Sequence, residues 1–311
     1  MAILIDIRQV DWITDESLKS LLESYLPNAD IRCAAKPGDP ADITMLAVSS
    51  TEPGEFAQYP NLKLVQKLGA GVETIVGDPS LPPHVRVTRL KSDAPAREIS
   101  EYCLAHVLGE LRHLKRYGDA QAHCRWDPVP PRSSLGTVIG VLGLGHIGGR
   151  VAEVFASLGF TVHGYSRHPK QIEKVTCHHG DDALDTVLAL ADFVVSILPS
   201  TPHTRGLFDA QRFTMMKPGA VLINVGRGEL IVEQDLLNAL DSGRLGGAVL
   251  DVFHHEPLPP DDPLWRHPRV VITPHVSGWH IDDGLADIAE NFKRLQSGEP
   301  LLYQVDRNAG Y

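Results

Sequence analysis

The sequence predicts an α/β protein with two doubly wound parallel-sheet domains. A chain of 311 residues is long enough to build two separate hydrophobic cores. Two series of short apolar runs alternate with helix-length segments, which is the pattern of strands and crossover helices in a parallel sheet. The runs of the second series are almost continuously apolar, as expected for strands that are buried on both faces.

The first series predicts one domain and the helix that leaves it. Its four β-like runs are "ILIDI", "ITMLAV", "LKLVQKL" and "VRVTRL", separated by helical or proline-marked stretches. From Ala94 we predict one long amphipathic helix that can bridge two domains, because apolar residues recur at helical spacing: Ile99, Cys103, Val107, Leu111 and Leu114. The proline-rich arm "CRWDPVPPRSSLG" is expected to be a connector without its own core.

The second series begins at Thr137 and completes a second sheet. Its predicted strands are "TVIGVLG", "TVHGYS", "FVVSILP", "AVLINVG", "GAVLDVF" and "RVVITPH". A last helix is predicted over residues 282–296. Because the second sheet is complete by then, we expect this helix to return to the first domain.

Composition excludes several classes of protein. A hydrophobic content of 43% with 22% charged residues is typical of a soluble globular chain, and the first ten residues lack the features of a signal peptide. No apolar segment is long enough for a bilayer, so we predict a cytoplasmic protein without a membrane partner. A net charge of −10 without a basic run argues against nucleic-acid binding.

Cysteine and histidine usage predicts neither disulfides nor a metal site. The four cysteines show no C-x-x-C pair, and we interpret them as packing thiols: Cys33, Cys103, Cys124 and Cys177. The histidines of "CHHG" and the pair His254 and His255 lack paired ligand spacing.

The glycines of "GLGHIG" predict a dinucleotide site. Gly143, Gly145 and Gly148 stand between an apolar strand and a helix, where a pyrophosphate can approach the bare backbone and rest on the helix N-terminus. A tight strand-to-helix turn would show the same glycines. A further strand about twenty residues on favours the dinucleotide.

The next strand ends in "YSRHPK", where dinucleotide-binding folds usually place an acidic residue. An acid there accepts hydrogen bonds from the ribose hydroxyls and would repel a 2′-phosphate. Here Ser166 can donate a hydrogen bond, Arg167 can bind phosphate oxygens, and His168 and Lys170 add positive charge. We therefore predict NADP(H) in preference to NAD(H), the alternative being a solvated basic turn.

Three polar residues follow three later strands. Arg227 lies in "NVGRGEL", Glu256 in "LDVFHHEPLP" and His275 in "ITPHVSG". The carboxyl ends of parallel strands share one edge of the sheet, where ligands bind in such folds. We expect Arg227 to bind a carboxylate and the other two residues to converge with it, although a surface arginine at a glycine turn would look similar.

In this order and spacing, these motifs resemble the D-isomer-specific 2-hydroxyacid dehydrogenase family over essentially the whole chain. "LGAGVE" and "ISEYCLAHVL" look closest to its glyoxylate/hydroxypyruvate reductase branch. The resemblance implies a Rossmann-type NADP(H)-binding domain at residues 99–279 and a discontinuous, flavodoxin-like substrate-binding domain at residues 1–98 and 280–311. It further implies an active-site cleft between the domains and a homodimer that pairs through the cofactor domains and the long helix.

The resemblance also implies residue roles. His275 would be the general acid supported by Glu256, Arg227 would hold the substrate carboxylate and polarise its carbonyl, and Asp251 would position the nicotinamide amide. Implied substrate-binding residues, taken from "KLGAGVETI" and the catalytic segments, are Leu68, Gly69, Ala70, Gly71, Arg227, His275 and Trp279. Implied cofactor-binding residues, including those of the adenine-side loop "LPSTPHTRGLF", are Gly143, Gly145, His146, Ile147, Gly148, Ser166, Arg167, His168, Lys170, Leu198, Pro199, Thr204, Val225, Gly226 and Asp251.

These features predict NADPH-dependent reduction of a small 2-keto acid, such as glyoxylate or hydroxypyruvate, to the D-2-hydroxy acid. One alternative is a dinucleotide-sensing binding protein, like the C-terminal-binding protein corepressors, although no disordered partner-recruiting tail is evident. Another is a dehydrogenase for formate or phosphite, and the glutamate at position 256 speaks against the formate type, which carries glutamine there. Trp279 is either core or pocket wall, and Trp126 could anchor a dimer arm.

Overall fold

The computed structural model describes residues 1–8, 13–180 and 182–307, and the chain divides into two compact units. One unit comprises Met1–Ala94 together with Trp279–Tyr311, and the other comprises Pro95–Gly278. Both are built on parallel sheets.

The described strands are β1 (Ala2–Asp6), β2 (Asp30–Cys33), β3 (Ile43–Val48), β4 (Leu64–Lys67), β5 (Arg86–Arg89), β6 (Val138–Leu142), β7 (Thr161–Ser166), β8 (Val175–His179), β9 (Phe193–Ser196), β10 (Ala220–Asn224), β11 (Leu245–Leu250) and β12 (Val270–Ile272). The described α-helices are α1 (Asp15–Tyr25), α2 (Glu73–Val76), α3 (Asp93–Leu111), α4 (Leu114–Ala122), α5 (His146–Ser157), α6 (Ala183–Leu190), α7 (Ala210–Met215), α8 (Glu233–Asp241) and α9 (Ala286–Ser297). Short 3₁₀ turns lie at Pro40–Asp42, Glu55–Gln58, Gly228–Leu230, Pro263–Arg266 and Asp282–Gly284.

The sheet of the first unit has the strand order β2-β1-β3-β4-β5, which is the flavodoxin-like order. The first strand, β1, is buried along its whole length, because one face packs on α1 and α9 and the other on the segments between β3 and β5. Ile288 and Phe292 of α9 lie in the same hydrophobic cluster as Ile3 and Leu18. The C-terminal helix therefore completes the core that the N-terminal strand begins.

The sheet of the second unit has the order β12-β11-β10-β9-β6-β7-β8, with all pairs parallel. Counted from β6, this is the Rossmann order with one more strand at the β12 end. The chain reverses its direction of winding between β6 and β9, where such sheets bind ligands. The predicted fold class, α/β with two doubly wound parallel sheets, is confirmed.

The long helix predicted from Ala94 is wrong in its second half. It ends at Leu111, and α4 begins after His113, whose φ of 56° is left-handed and cannot continue a right-handed helix. Ile99 and Val107 are buried as predicted, but Leu114 is 62% exposed because the break turns α4 away from the core stripe.

Two strands and one helix boundary also differ from the sequence prediction. The edge strands β2 and β8 were not predicted, because "DIRC" and "VTCHH" carry no apolar run. The last helix begins at Ala286, later than predicted, after a 3₁₀ turn at Asp282–Gly284.

Within the part of the chain that the structure describes, no helix has both the length and the apolar character that a bilayer crossing requires.

Candidate active site

The glycine loop after β6 is shaped for close backbone approach. Gly143 has a φ of 102°, and a Cβ atom there would lie 2.9 Å from the Ile197 carbonyl oxygen. A Cβ atom on Gly148 would lie 1.9 Å from the Gly143 carbonyl oxygen, so α5 packs on the loop only without a side chain there. At Gly145, by contrast, no described atom beyond its chain neighbours lies within 4 Å of the Cβ position.

This loop fits a pyrophosphate. Gly145 is the N-cap of α5 and has no side chain that could cap the helix, so backbone N–H groups of the first turn, from His146 to Gly148, point out of the helix end. Such an end favours an anion through both its donors and its dipole. The open side of Gly145 is the face on which a phosphate could approach the backbone.

The end of β7 carries the predicted cationic turn. Ser166 is buried, and its hydroxyl donates to the His168 carbonyl oxygen at 2.8 Å, so it shapes the turn. The side chains of Arg167, His168 and Lys170 are exposed. A phosphate group beside this turn would meet cations and no carboxylate from the turn itself.

The loop after β9 is held by Thr204. Its hydroxyl donates to the Pro199 carbonyl oxygen at 2.6 Å and accepts from the Thr201 N–H at 2.8 Å. Leu198 and Pro199 are half-buried beside it, next to the glycine loop through Ile197. Thr204 therefore closes the loop, and the Leu198 side chain packs against the hydrophobic cluster of this unit.

The segment after β10 positions Arg227 through a buried amide that the sequence analysis did not single out. Asn224 is fully buried, its Nδ2 donates to the Arg227 carbonyl oxygen at 2.8 Å, and its Oδ1 accepts from the Gly226 N–H at 3.2 Å. A Cβ atom on Gly226 would lie 2.6 Å from the Leu198 carbonyl oxygen, which fixes glycine beside Val225. A polar residue at the end of the apolar run "AVLIN" was the available signal.

His275 and Glu256, two of the predicted catalytic side chains, are in hydrogen-bond contact. His275 Nδ1 lies 2.7 Å from Glu256 Oε2, and Glu256 Oε1 accepts from the Phe253 N–H at 2.9 Å. Burial would raise the pKa of Glu256, but the hydrogen bond and charge of His275, the Phe253 N–H and the charge of Arg227 together hold this pKa below its ordinary value.

The protonation of this pair follows from the ionised carboxylate. A carboxylate can only accept hydrogen bonds, so Nδ1 of His275 carries the proton between them. The other ring nitrogen, Nε2, is then the one that can exchange a proton with a ligand. The His275 side chain is 52% exposed, so this exchange is sterically possible. The positive charge of Arg227 is near enough to Glu256 to lower the pKa of that carboxyl.

Asp251, at the end of β11, organises the segment that carries His275. Its buried carboxylate accepts from the Thr273 hydroxyl at 2.6 Å, from the Val276 N–H at 2.9 Å and from the Ser277 N–H at 3.0 Å. Its carbonyl oxygen accepts from the His275 N–H at 2.9 Å. Asp251 thus binds the chain on both sides of His275. Thr273 was missed because the pairing of "TPH" with a residue twenty-two positions earlier is a tertiary contact.

In the first unit, residues 68–71 form the loop between β4 and α2. The Leu68 N–H donates to the Val48 carbonyl oxygen at 2.8 Å, and Leu68 is buried. The Gly69 carbonyl oxygen accepts from the Leu90 N–H at 3.2 Å, and that of Ala70 accepts from Arg89 Nη1 at 3.2 Å.

These contacts fix the direction of two peptide planes. In a trans peptide the carbonyl and the following N–H point in opposite directions. The Ala70 N–H therefore points away from Leu90, and the Gly71 N–H points away from the Arg89 guanidinium.

The remaining sequence candidates are placed as follows. Trp279 is 36% exposed and Trp126 is 97% exposed. His254 Nε2 lies 2.8 Å from the Ile231 carbonyl oxygen, a contact within the fold. Among the described residues, no group of three or more histidine, cysteine, aspartate or glutamate side chains could hold a metal ion.

Comparison with known proteins identifies the family. The family model for the NAD-binding domain of D-isomer-specific 2-hydroxyacid dehydrogenases matches residues 104–277. The glyoxylate/hydroxypyruvate reductase A of Photorhabdus laumondii subsp. laumondii is 40% identical over 298 residues, which is 93% of this chain and 94% of that protein.

Solved structures agree over the full length. A D-isomer-specific 2-hydroxyacid dehydrogenase of Xanthobacter autotrophicus Py2, in complex with NADPH and MES, is 41% identical with a TM-score of 0.92 over 99% of both chains. The NADPH-dependent glyoxylate/hydroxypyruvate reductase of Sinorhizobium meliloti, in complex with NADP and sulfate, is 33% identical with a TM-score of 0.91 over 100% of this chain and 99% of that one. The resemblance seen in the sequence is confirmed, and the chain belongs to the D-isomer-specific 2-hydroxyacid dehydrogenase family.

Proposed function

We propose that this protein reduces a small 2-keto acid, such as glyoxylate or hydroxypyruvate, to the D-2-hydroxy acid with NADPH. The observation that carries the proposal is the 2.7 Å contact between His275 and Glu256, at the carboxyl edge of a Rossmann sheet with a pyrophosphate-shaped loop. The names of its relatives, glyoxylate/hydroxypyruvate reductases, support the same activity.

His275 and Glu256 act on the proton. Reduction of a carbonyl places negative charge on its oxygen, and a proton has to reach that oxygen. The Nε2 atom of protonated His275 delivers it, while Glu256 stabilises the imidazolium from the Nδ1 side and fixes the ring.

Arg227 and the loop at residues 68–71 each offer groups that suit a carboxylate. The guanidinium of Arg227 can form two parallel hydrogen bonds to a carboxylate and polarise the neighbouring carbonyl. The N–H groups of Ala70 and Gly71, directed by the contacts of Gly69 and Ala70, are the donors that the loop of the first unit can offer. Trp279 contributes a wall of the substrate pocket.

The residues along the edge of the second sheet would hold NADPH, which supplies the hydride when bound. The glycine loop with His146 and Ile147 takes the pyrophosphate, and Arg167, His168 and Lys170 take the 2′-phosphate. Apolar contacts come from Leu198, Pro199 and Val225. Ser166, Thr204 and Gly226 shape the surrounding turns, and Asp251 places the nicotinamide amide.

The two compact units divide these tasks. We propose that Pro95–Gly278 is the NADP(H)-binding domain and that Met1–Ala94 with Trp279–Tyr311 is the substrate-binding domain. The strand orders support this division, because the Rossmann order belongs to the unit with the glycine loop.

The activity is tested by following NADPH absorbance with glyoxylate, hydroxypyruvate, pyruvate and phenylpyruvate in turn, and then repeating the assay with NADH. We expect turnover of the smaller acids and a lower Michaelis constant for NADPH than for NADH. Tight NADPH binding without turnover of any acid would instead favour a dinucleotide-sensing binding protein.

We also propose a cytoplasmic homodimer. Large apolar side chains are exposed on α3, on α4 and in the connector: Leu108, Leu114, Trp126 and Leu135. Four unbridged cysteines suit a reducing compartment. Light scattering after size exclusion should give twice the mass of 34.0 kDa, and a monomer at assay concentration would contradict the dimer.

A further inference from the structure

A directed hydrogen-bond chain runs from α3 to Asp251. The Tyr102 hydroxyl lies 2.7 Å from Thr273 Oγ1, which in turn lies 2.6 Å from Asp251 Oδ1. Asp251 as a carboxylate only accepts, so the Thr273 hydroxyl donates its hydrogen bond to Asp251. Thr273 is then the acceptor towards α3, and Tyr102 is the donor.

Asp251, at the other end of this hydrogen-bond chain, determines the backbone conformation at His275. His275 has a φ of 55°, a left-handed conformation that is unfavourable for a residue with a Cβ atom and persists only where the surroundings impose it. Asp251 imposes this conformation through two sets of contacts. Its carbonyl oxygen accepts from the His275 N–H, and its carboxylate accepts from the Val276 and Ser277 N–H groups that follow.

Tyr102, at the α3 end of this hydrogen-bond chain, is well suited to remain a donor. Burial raises the pKa of the Tyr102 phenol far above its ordinary value, so the hydroxyl keeps its proton at every pH of an enzyme assay. The ring itself is held by His106, one turn along α3, with ring centroids 4.4 Å apart. Tyr102 thus offers a fixed donor to a threonine hydroxyl that could otherwise rotate.

We propose that Tyr102 is a positioning residue for His275, acting through Thr273 and Asp251. Without the Tyr102 hydroxyl, Thr273 loses the contact that keeps its O–H directed at Asp251, and the carboxylate loses one of its fixed donors. The His275 backbone is then less well constrained, and its imidazole spends less time in the orientation that delivers a proton. This role rests on the proposed function, which assigns proton delivery to His275.

The first test compares Tyr102→Phe with Tyr117→Phe. Tyr117 is a matched control, because its hydroxyl also makes two hydrogen bonds within the same unit, donating to the Val129 carbonyl oxygen at 3.0 Å and accepting from the Val129 N–H at 2.9 Å. We expect Tyr102→Phe to lower kcat for keto-acid reduction about three- to tenfold, the usual effect of one lost hydrogen bond, with an unchanged dissociation constant for NADPH. Tyr117→Phe should leave kcat at the wild-type value. Equal kcat values for the two variants would overturn the proposal.

A double-mutant cycle tests whether the effect passes through Thr273. Thr273→Val removes the hydroxyl at constant shape and should lower kcat by more than Tyr102→Phe does, while Thr273→Ser should recover most of that loss. In the Thr273→Val background, Tyr102→Phe should have no further effect on kcat. Additive losses would show that Tyr102 does not act through Thr273, which would also overturn the proposal.

Amide hydrogen exchange separates this proposal from the proposed function. The Val276 and Ser277 amides should exchange several-fold faster in Tyr102→Phe than in wild type or in Tyr117→Phe, whether or not the protein turns over a keto acid. Unchanged exchange would refute the positioning role by itself. Absence of turnover in the wild type would refute the proposed activity, while the exchange rates would still decide whether Tyr102 holds the loop.

Discussion

Replacement of Glu256 by glutamine should lower the pH at which keto-acid reduction fades. The carboxylate makes two contacts, to His275 Nδ1 at 2.7 Å and to the Phe253 N–H at 2.9 Å. A glutamine side chain has one oxygen, so it can accept from only one of these donors. If the oxygen stays with Phe253, the amide NH₂ faces Nδ1, which must then be an acceptor, and protonated His275 is disfavoured.

The size of the effect follows from the lost charge. Two unit charges about 4 Å apart interact by about 1 kcal/mol in bulk water and about 4 kcal/mol near a protein surface. The two side chains are 52% and 36% exposed, so solvent screens much of this, and we take a value near the lower limit. About 1.4 kcal/mol corresponds to about one pH unit. Reduction requires protonated His275, so activity is present at low pH and is lost as the pH rises. The Glu256→Gln variant should therefore lose its activity about one pH unit below the wild type.

The assay is the pH profile of kcat/KM for hydroxypyruvate at saturating NADPH. Glu290→Gln is the matched control. Glu290 Oε1 also accepts from a cation, Arg294, at 2.7 Å, and the Glu290 side chain is 42% exposed. Glu290 lies on α9, outside the proposed site. That variant should keep the wild-type profile. If Glu256→Gln keeps it as well, Glu256 does not support the acid, and the assigned roles are wrong.

Three further substitutions test other parts of the site. Arg227→Lys should lower kcat/KM for the keto acid roughly ten- to a hundredfold with NADPH affinity nearly intact, because an ammonium cannot make the two parallel bonds; a silent substitution would remove Arg227 from the substrate site. Arg167→Ala should raise the Michaelis constant for NADPH roughly tenfold or more and leave that for NADH almost unchanged, and equal losses for both cofactors would contradict a phosphate contact. Gly148→Ala should weaken NADPH binding measurably by fluorescence titration and lower Tm, because its Cβ atom would lie 1.9 Å from the Gly143 carbonyl oxygen; unchanged binding and Tm would mean that α5 can shift freely.

The sequence predicted most strands of the fold because their signal is local. The strand β10, for example, is a fully buried run, apolar up to its last residue, that can be predicted without knowing its neighbours. By contrast, β8 is an edge strand with a half-exposed, histidine-rich sequence and exists because β7 offers hydrogen-bonding groups beside it. The end of α3 was unpredictable for a related reason, since the apolar spacing continues to Leu114 although the backbone at His113 does not.

In the candidate site, too, some residues could be predicted from local sequence and others could not. Arg227, Glu256 and His275 stand in motifs whose chemistry can be read from a few adjacent residues. Asn224 and Thr273, which contact Arg227 and Asp251, are ordinary polar residues whose contacts are made at strand ends. A sequence motif can therefore point to a candidate group, whereas the hydrogen bonds around that group become visible only once the chain is folded.

Proton donation by His275 is tested most directly by a single turnover in which NADPH-loaded protein is mixed with hydroxypyruvate, with wild type compared with His275→Gln. We expect rapid loss of NADPH absorbance in the wild type. We expect at least a hundredfold slower loss in the variant, in keeping with the contribution of a general acid, while the dissociation constant for NADPH stays the same. Comparable rates in the two proteins, with NADPH bound equally well, would contradict the assignment of His275 as the proton donor.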